Sequence, residues 1–218
     1  MDDWNRNGDR RPPGPSGTGG EPGSAGPTDL SLGPMTEVSD RYGTIADSFD
    51  ATLCGVGADS WSAASPCVEW TARDVAVHVI DTHRRVRATL GDVSFEEVEP
   101  DADLRGAWTS ATEGIRAVLD DEALASRTVG GVFGEQPFES LVGRLLCADT
   151  LIHTWDLARA TGQDDRLDEE AVQKAMEFLT PIDEAIRRPG GFAPKLDPPP
   201  GADAQARLLA FTGRAASA

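Results

Sequence analysis

The sequence predicts an all-α protein: a four-helix bundle with additional C-terminal helices packed on it. Three observations lead there. Apolar residues recur at helical spacing over five long segments and one short one. Strand signal is confined to a single Gly-Gly stretch with β-formers on both sides. Glycines and prolines stand where helices must start and stop.

The elements follow in order. From Thr36, the residues Val38, Tyr42, Ile45, Phe49 and Leu53 mark one helix face, and Gly55 ends it. A loop to Trp70 contains Ser65-Pro66-Cys67. Thr71 is the N-cap of a second helix, with Asp74 placed to close a capping box, and the helix runs to about Leu90. Residues 92–100 form an acidic loop. A third helix spans roughly Asp101 to Leu119, with Leu104, Trp108, Ala111, Ile115 and Val118 inward. Thr128 to Gly134 reads as a short β-hairpin or lid loop around Gly130-Gly131. The fourth helix begins near Pro137 and ends at Ala160, with Gly162 as its C-cap. A fifth starts near Asp168 and is kinked or broken at Pro181. A Pro-rich loop from Pro189 to Pro200 leads to a last short helix with Leu208, Leu209 and Phe211.

Two units are expected: a disordered tail over residues 1–34 and a helical domain over 35–214. The tail is rich in Gly, Pro and Ser and nearly lacks large aliphatics, so it has too little apolar surface to offset ordering entropy. Trp4 within it reads as a stray exposed aromatic. Formal net charge is -17, with no clustered Lys/Arg run, which argues against nucleic acid and anionic membrane surfaces as partners. No apolar run reaches membrane-spanning length, and the polar, acidic N-terminus lacks the pattern of a signal peptide. Cys54, Cys67 and Cys147 are odd in number and far apart, which fits a reducing cytoplasm rather than a disulfide framework.

The chemistry concentrates on the fourth helix. Val142, Leu146, Asp149, His153 and Leu157 share one face, so a carboxylate and an imidazole lie one turn apart on an apolar stripe. A buried ionisable pair is costly unless it is hydrogen-bonded or holds a metal. His78 lies on the second helix beside Val75 and Val79. His78 facing Asp149 and His153 would give two imidazoles and a carboxylate, a donor set for a divalent metal with open positions. The spacing equally allows a hydrogen-bonded Asp149–His153 pair and a satisfied core histidine at 78. His83 lies about 140° around the helix from His78 and reads as a rim or surface residue. Asp156 could accept the outer N–H of a ligating His153; Asp74 reads as a cap. Cys67 reads as a small structural residue, with thiolate nucleophile or fourth ligand as the alternatives. Arg73 and Arg159 read as surface residues, each a candidate contact for an anionic substrate. No serine sits in a nucleophile-elbow setting, and the Gly130-Gly131 loop lacks the phosphate-binding pattern.

Ser65-Pro66-Cys67-Val68-Glu69-Trp70-Thr71-Ala72-Arg73-Asp74-Val75-Ala76-Val77-His78 resembles the TPC-x-x-W-T-x-R-D-L-x-x-H segment of actinobacterial DinB/YfiT-like metal-binding proteins. His153-Thr154-Trp155-Asp156-Leu157-Ala158-Arg159-Ala160-Thr161-Gly162 resembles their H-x-W-D-L-A-R-A-T-G segment, and Phe192 to Gly213 their C-terminal ending. The group is related to the N-terminal domain of mycothiol-dependent maleylpyruvate isomerase. The resemblance covers about Thr36 to Arg214. It implies a DinB-like four-helix bundle whose metal ligands would be His78, Asp149 and His153. The isomerase has Glu where this chain has Asp149, one methylene shorter, and its additional C-terminal domain has no counterpart expected here.

The function implied is metal-dependent activation of a low-molecular-weight thiol, with mycothiol the cosubstrate, or of water, for attack on a small electrophile by transfer or isomerisation. Zn²⁺ is the expected ion, with Ni²⁺ or Fe²⁺ as alternatives. The competing readings are a non-catalytic metal-binding module and a thiol-independent metallohydrolase. A small-molecule substrate and a thiol are the expected partners, and the protein is expected to be a monomer or homodimer.

Overall fold

The computed structural model describes residues 35–131, 133–187 and 191–215. The predicted tail over 1–34 lies outside the described residues, as does Trp4. The fold is all-α, as the periodicity predicts. Helix α1 (Met35–Gly55), α2 (Ala72–Ala88), α3 (Leu104–Leu119) and α6 (Cys147–Thr161) form the bundle, with short α4 (Glu122–Ala125) and α5 (Phe138–Leu141) between α3 and α6. α6 packs on both α1 and α2, and α3 closes the ring against α2 and α1. α7 (Glu169–Leu179) packs on α6, and α8 (Ala204–Phe211) packs on α7. Among the described residues no helix is long and apolar enough to cross a membrane.

The local signals behave as their chemistry dictates. Thr71 accepts from the Asp74 backbone N–H, and the Asp74 carboxylate accepts from the Thr71 N–H at 2.8 Å, so the capping box closes. Asp103 and Asp168 cap α3 and α7 through their side chains. The predicted inward residues of α1 and α3 are buried. Gly162 ends α6 in the left-handed conformation. α7 stops at Leu179, and Pro181 falls in a 3-10 turn, Thr180–Ile182, where its missing N–H leaves no helical bond unmade.

The Gly-Gly stretch is a small antiparallel hairpin, β1 (Thr128–Val129) pairing with β2 (Gln136–Pro137). Its Phe133 packs edge-on against Phe178 of α7. The hairpin joins the fourth helical run at α5 (Phe138–Leu141). From Phe138 to Asp149 the helical rise is roughly 16 Å, so the hairpin sits at the far end of that run from the paired histidine and aspartate.

Three expectations change. The fourth helix is one run, but Val142–Leu146 between α5 and α6 is a π turn rather than α. Further on, α6 is buried nearly all round: Cys147, Ala148 and every residue from Thr150 to Ala158 are inside. A single apolar stripe is too narrow a description because α1, α2 and α7 cover three sides of this helix.

The third change is His83, which is a fully buried core residue and not a rim histidine. Its ring stands edge-on to Trp108 at 4.8 Å and near Tyr42 at 5.8 Å. The residue lies on the face of α2 that carries Val79 and Val86, which packs into the bundle. Nδ1–H donates to the Val79 carbonyl at 2.8 Å, while Nε2 is buried with no partner. Burial outweighs that hydrogen bond and pushes the imidazole down to about 4.

Between about pH 6.5 and about 4 the unfolded chain binds a proton at His83 that the folded chain refuses, so stability falls as pH falls through this window. Urea unfolding at pH 7 and pH 5 should show a loss that is smaller in His83→Phe, by on the order of 1–2 kcal/mol. Equal losses in the two proteins would show that His83 is not held neutral.

Candidate metal centre

Two polypeptide segments and one turn build the site. α2 and α6 run antiparallel, so Cys67, just before α2, meets Asp156, while His78, further along α2, meets Asp149. The segment before α2 is folded back on itself. Ala64 bridges Thr71, Ala72 N–H donates to the Ala63 carbonyl, and Trp70 N–H donates to the Cys67 carbonyl. The turn that delivers Trp70 includes Glu69 at φ 66°, a left-handed conformation uncommon for this residue. Trp70 packs against both imidazoles, at 4.9 Å from His78 and 5.8 Å from His153.

The three predicted ligands come together. His78 Nε2 lies 3.3 Å from Asp149 Oδ1, and His153 Nε2 lies 3.6 Å from the same oxygen. All three ligand atoms lie within 4.8 Å of one another. Two donors each about 2.1 Å from one ion at a tetrahedral angle are roughly 3.4 Å apart. Asp149, one methylene shorter than glutamate, still reaches both imidazoles at about this spacing. Its other oxygen, Oδ2, is buried without a hydrogen-bond partner. Burial raises the Asp149 carboxyl, but His78 and His153 outweigh it and bring it down to about 2, so the group is a carboxylate at neutral pH. Exposure is graded: the side chains of His78, Asp149 and His153 are 31%, 14% and 7% exposed. His78 is the open edge, and His153 is the closed back wall.

His153 is held from behind. Its Nδ1–H donates to Asp156 Oδ2 at 2.9 Å, so in the neutral imidazole Nε2 is the lone-pair nitrogen turned toward Asp149. In that state lone pair and carboxylate oxygen face each other, and either a proton or a metal ion can bridge them. Asp156 is wholly buried and also takes Arg214, whose Nε lies 2.8 Å from Oδ1 and whose Nη2 lies 2.6 Å from Oδ2. Burial would raise the Asp156 carboxyl, but Arg214 and the His153 hydrogen bond hold it well below the usual carboxylate range.

Cys67 donates to Asp156 Oδ2 at 3.2 Å and accepts from Arg214 Nη2 at 3.3 Å. Burial and the neighbouring Asp156 push its thiol up to about 12, so it stays protonated and is no thiolate nucleophile. Cys67, His153 and Asp156 form a second group with metal-ligand atoms, and it shares His153 with the first.

Arg214 is the functional residue that sequence reasoning passed over. It closes the predicted C-terminal motif, yet nothing in local spacing says where its side chain goes. The end of α8 aims it. Gly213, at φ 81°, follows the C-cap Thr212; its N–H donates to Ala210 O, and the Arg214 N–H donates to Leu209 O at 2.8 Å. A side chain at 213 would meet Ala193 Cβ at 2.6 Å, so glycine is required there. Trp70, quoted only as part of a motif, turns out to wall the two imidazoles. Arg73 and Arg159, the other candidate cations, have internal partners: Arg73 donates to the Pro100 carbonyl, and Arg159 pairs with Asp165.

Asp156→Ala would strand the Arg214 guanidinium in the interior. Removing one partner of a buried ion pair typically costs about 3–5 kcal/mol, and chemical denaturation should show a loss of that size. A loss under about 1 kcal/mol would mean that the pair behaves as a surface contact.

The family model described as the mycothiol maleylpyruvate isomerase N-terminal domain matches residues 42–102, a stretch that includes Trp70 and His78. An uncharacterized protein of Mycobacterium tuberculosis is 33% identical over 174 residues, spanning 77% of this chain and 92% of that one, in both strain CDC 1551 / Oshkosh and strain ATCC 25618 / H37Rv. A crystal structure of a mutant mycothiol-dependent maleylpyruvate isomerase matches with a TM-score of 0.49 at 15% identity, over 65% of this chain and 67% of that one. With a relative so alike over nearly its whole length and the family model spanning α1 to the loop after α2, this chain belongs to the DinB/YfiT-like family related to the N-terminal domain of mycothiol maleylpyruvate isomerase.

Proposed function

We propose that this protein is a divalent-metal-dependent enzyme that activates a low-molecular-weight thiol, with mycothiol the leading candidate, or water, for attack on a small electrophile. Its metal ligands are His78, Asp149 and His153, and Zn²⁺ is the ion best suited to two imidazoles and a carboxylate, with Ni²⁺ and Fe²⁺ as alternatives. One observation carries the reading. Two imidazole Nε2 atoms converge on Asp149 Oδ1 while Asp149 Oδ2 is buried and unpartnered. Relation to the isomerase domain supports the thiol part.

Bound there, a divalent cation supplies Lewis acidity that lowers the pKa of a thiol or a water. The rest is done by the chain. Asp156 holds the Nδ1 proton of His153 and so keeps the Nε2 lone pair toward the centre. Trp70 fixes both rings and excludes water from their sides. His78 lies at the open edge, where a small molecule would approach.

A closed, purely structural metal would use a fourth protein ligand, and Cys67 is the sulfur at hand. Cys67 is instead engaged with Asp156 and Arg214 and keeps its proton. That favours a centre with a position left for substrate.

Metal analysis after dialysis should find about one equivalent in the wild type, and at least tenfold less in His153→Ala and Asp149→Ala. Unchanged metal in both variants would end this assignment. The zinc-loaded wild type should consume mycothiol in the presence of maleylpyruvate or a related electrophile. Turnover without thiol would make it a hydrolase, and metal binding with no turnover on either kind of substrate would leave a binding module.

A further inference from the structure

Cys67, His153 and Asp156 have the residue types of a metal site, with ligand atoms within 4.8 Å of one another. This array already contains a cation. Arg214 Nε lies 2.8 and 3.1 Å from the two Asp156 oxygens, and Nη2 lies 2.6 Å from Oδ2 and 3.3 Å from Cys67 Sγ. Its remaining nitrogen, Nη1, donates to the Thr212 carbonyl at 3.0 Å. The guanidinium is buried, and Phe192 lies 5.6 Å away, so solvent does not compete for it.

We infer that Arg214 stands in the place of a second metal ion: it occupies the Cys67–Asp156 side of His153, keeps metal off that side, and so directs it to the Nε2 side with His78 and Asp149. The last clause rests on the metal reading above; the first two do not.

Charge makes the substitution even. A guanidinium carries one positive charge. A divalent ion bound by Cys67 carries two and releases the thiol proton to solvent, while the His153 Nδ1 proton moves to Nε2, so the buried net charge is the same. Of the two carboxylates on α6, Asp156 has a permanent cation within the chain, and Asp149 has only the titratable imidazoles of His78 and His153 beside it. Without Arg214, the carboxylate, a sulfur and an imidazole nitrogen would face one another unneutralised, a donor set that takes Zn²⁺ or Co²⁺ readily. Arg214 reaches this place only through the turn that ends α8, so the docked C-terminal segment decides which face of His153 is open to metal.

The test is Co²⁺ titration of the full chain, with bound cobalt counted after desalting and the thiolate-to-cobalt charge-transfer band read in the near ultraviolet. The wild type and Arg214→Lys, which keeps the charge, should show no thiolate band. Arg214→Met should show one, and it should vanish in the Arg214→Met/Cys67→Ser double variant. Cobalt should also raise the melting temperature of Arg214→Met more than that of the wild type, since the ion replaces a missing charge. Arg214→Gln keeps a hydrogen-bonding group without the charge and takes over where Arg214→Met does not fold. A band in Arg214→Lys equal to that in Arg214→Met, or a folded charge-free variant that binds cobalt without a band, overturns the inference alone. A wild type that binds no cobalt beside an Arg214→Met that shows the band sinks the reading of the His78 site and leaves this one standing. No cobalt in any of the proteins overturns both.

Discussion

The Asp156 carboxylate ties the molecule together. It is wholly buried, and a buried carboxylate is tolerated only when charge and hydrogen bonds replace its hydration. Its donors come from three places: His153 one turn earlier on α6, Cys67 before α2, and Arg214 after α8. Satisfying this one group therefore requires the entrance to α2, the central helix and the C-terminal segment to be docked together. The same contacts set the His153 ring, and the ring sets which nitrogen faces Asp149. Trp70, delivered by the turn next to Cys67, then closes against both imidazoles.

α6 thus carries two carboxylates with opposite fates. Asp156 is neutralised within the chain and has no oxygen left to offer. Asp149 is ionised, faces two imidazoles and has one buried oxygen without a partner. The first holds structure, and the second is the carboxylate that the proposed metal would use. The histidines divide in a similar way. His83 lies among Tyr42 and Trp108, and burial outweighs its backbone hydrogen bond and the charge of Asp149 and keeps it neutral. His78 and His153 lie on either side of a carboxylate. Residue type is the same in all three, and environment assigns the work.

Much of this was legible along the chain. The helix faces, the Thr71–Asp74 box, Gly162 and the break at Pro181 follow from interactions spanning four residues or fewer, which a sequence displays openly. The Asp149–His153 pair stood out because one turn of helix brings its members together; His78 on the second helix was already their candidate partner, and the motif resemblance strengthened the grouping. The environment of His83 was misread: spacing showed that it lies off the His78 face, but not that its own face points into the bundle. The π turn at Val142–Leu146 left no signature in apolar periodicity.

What the sequence determined by itself is the set of helices, their ends and the family of the chain, because those depend on neighbours and on motifs that are contiguous. What only the tertiary structure decided is the electrostatic partition of the site. Arg214 is 58 residues from Asp156 and 147 from Cys67, and no local pattern records that they meet. Their meeting depends on the packing of α8 on α7 and on a glycine turn that points one guanidinium inward. The value of a carboxylate, as scaffold or as ligand, is set by which charges fold against it, and that is a property of the folded chain.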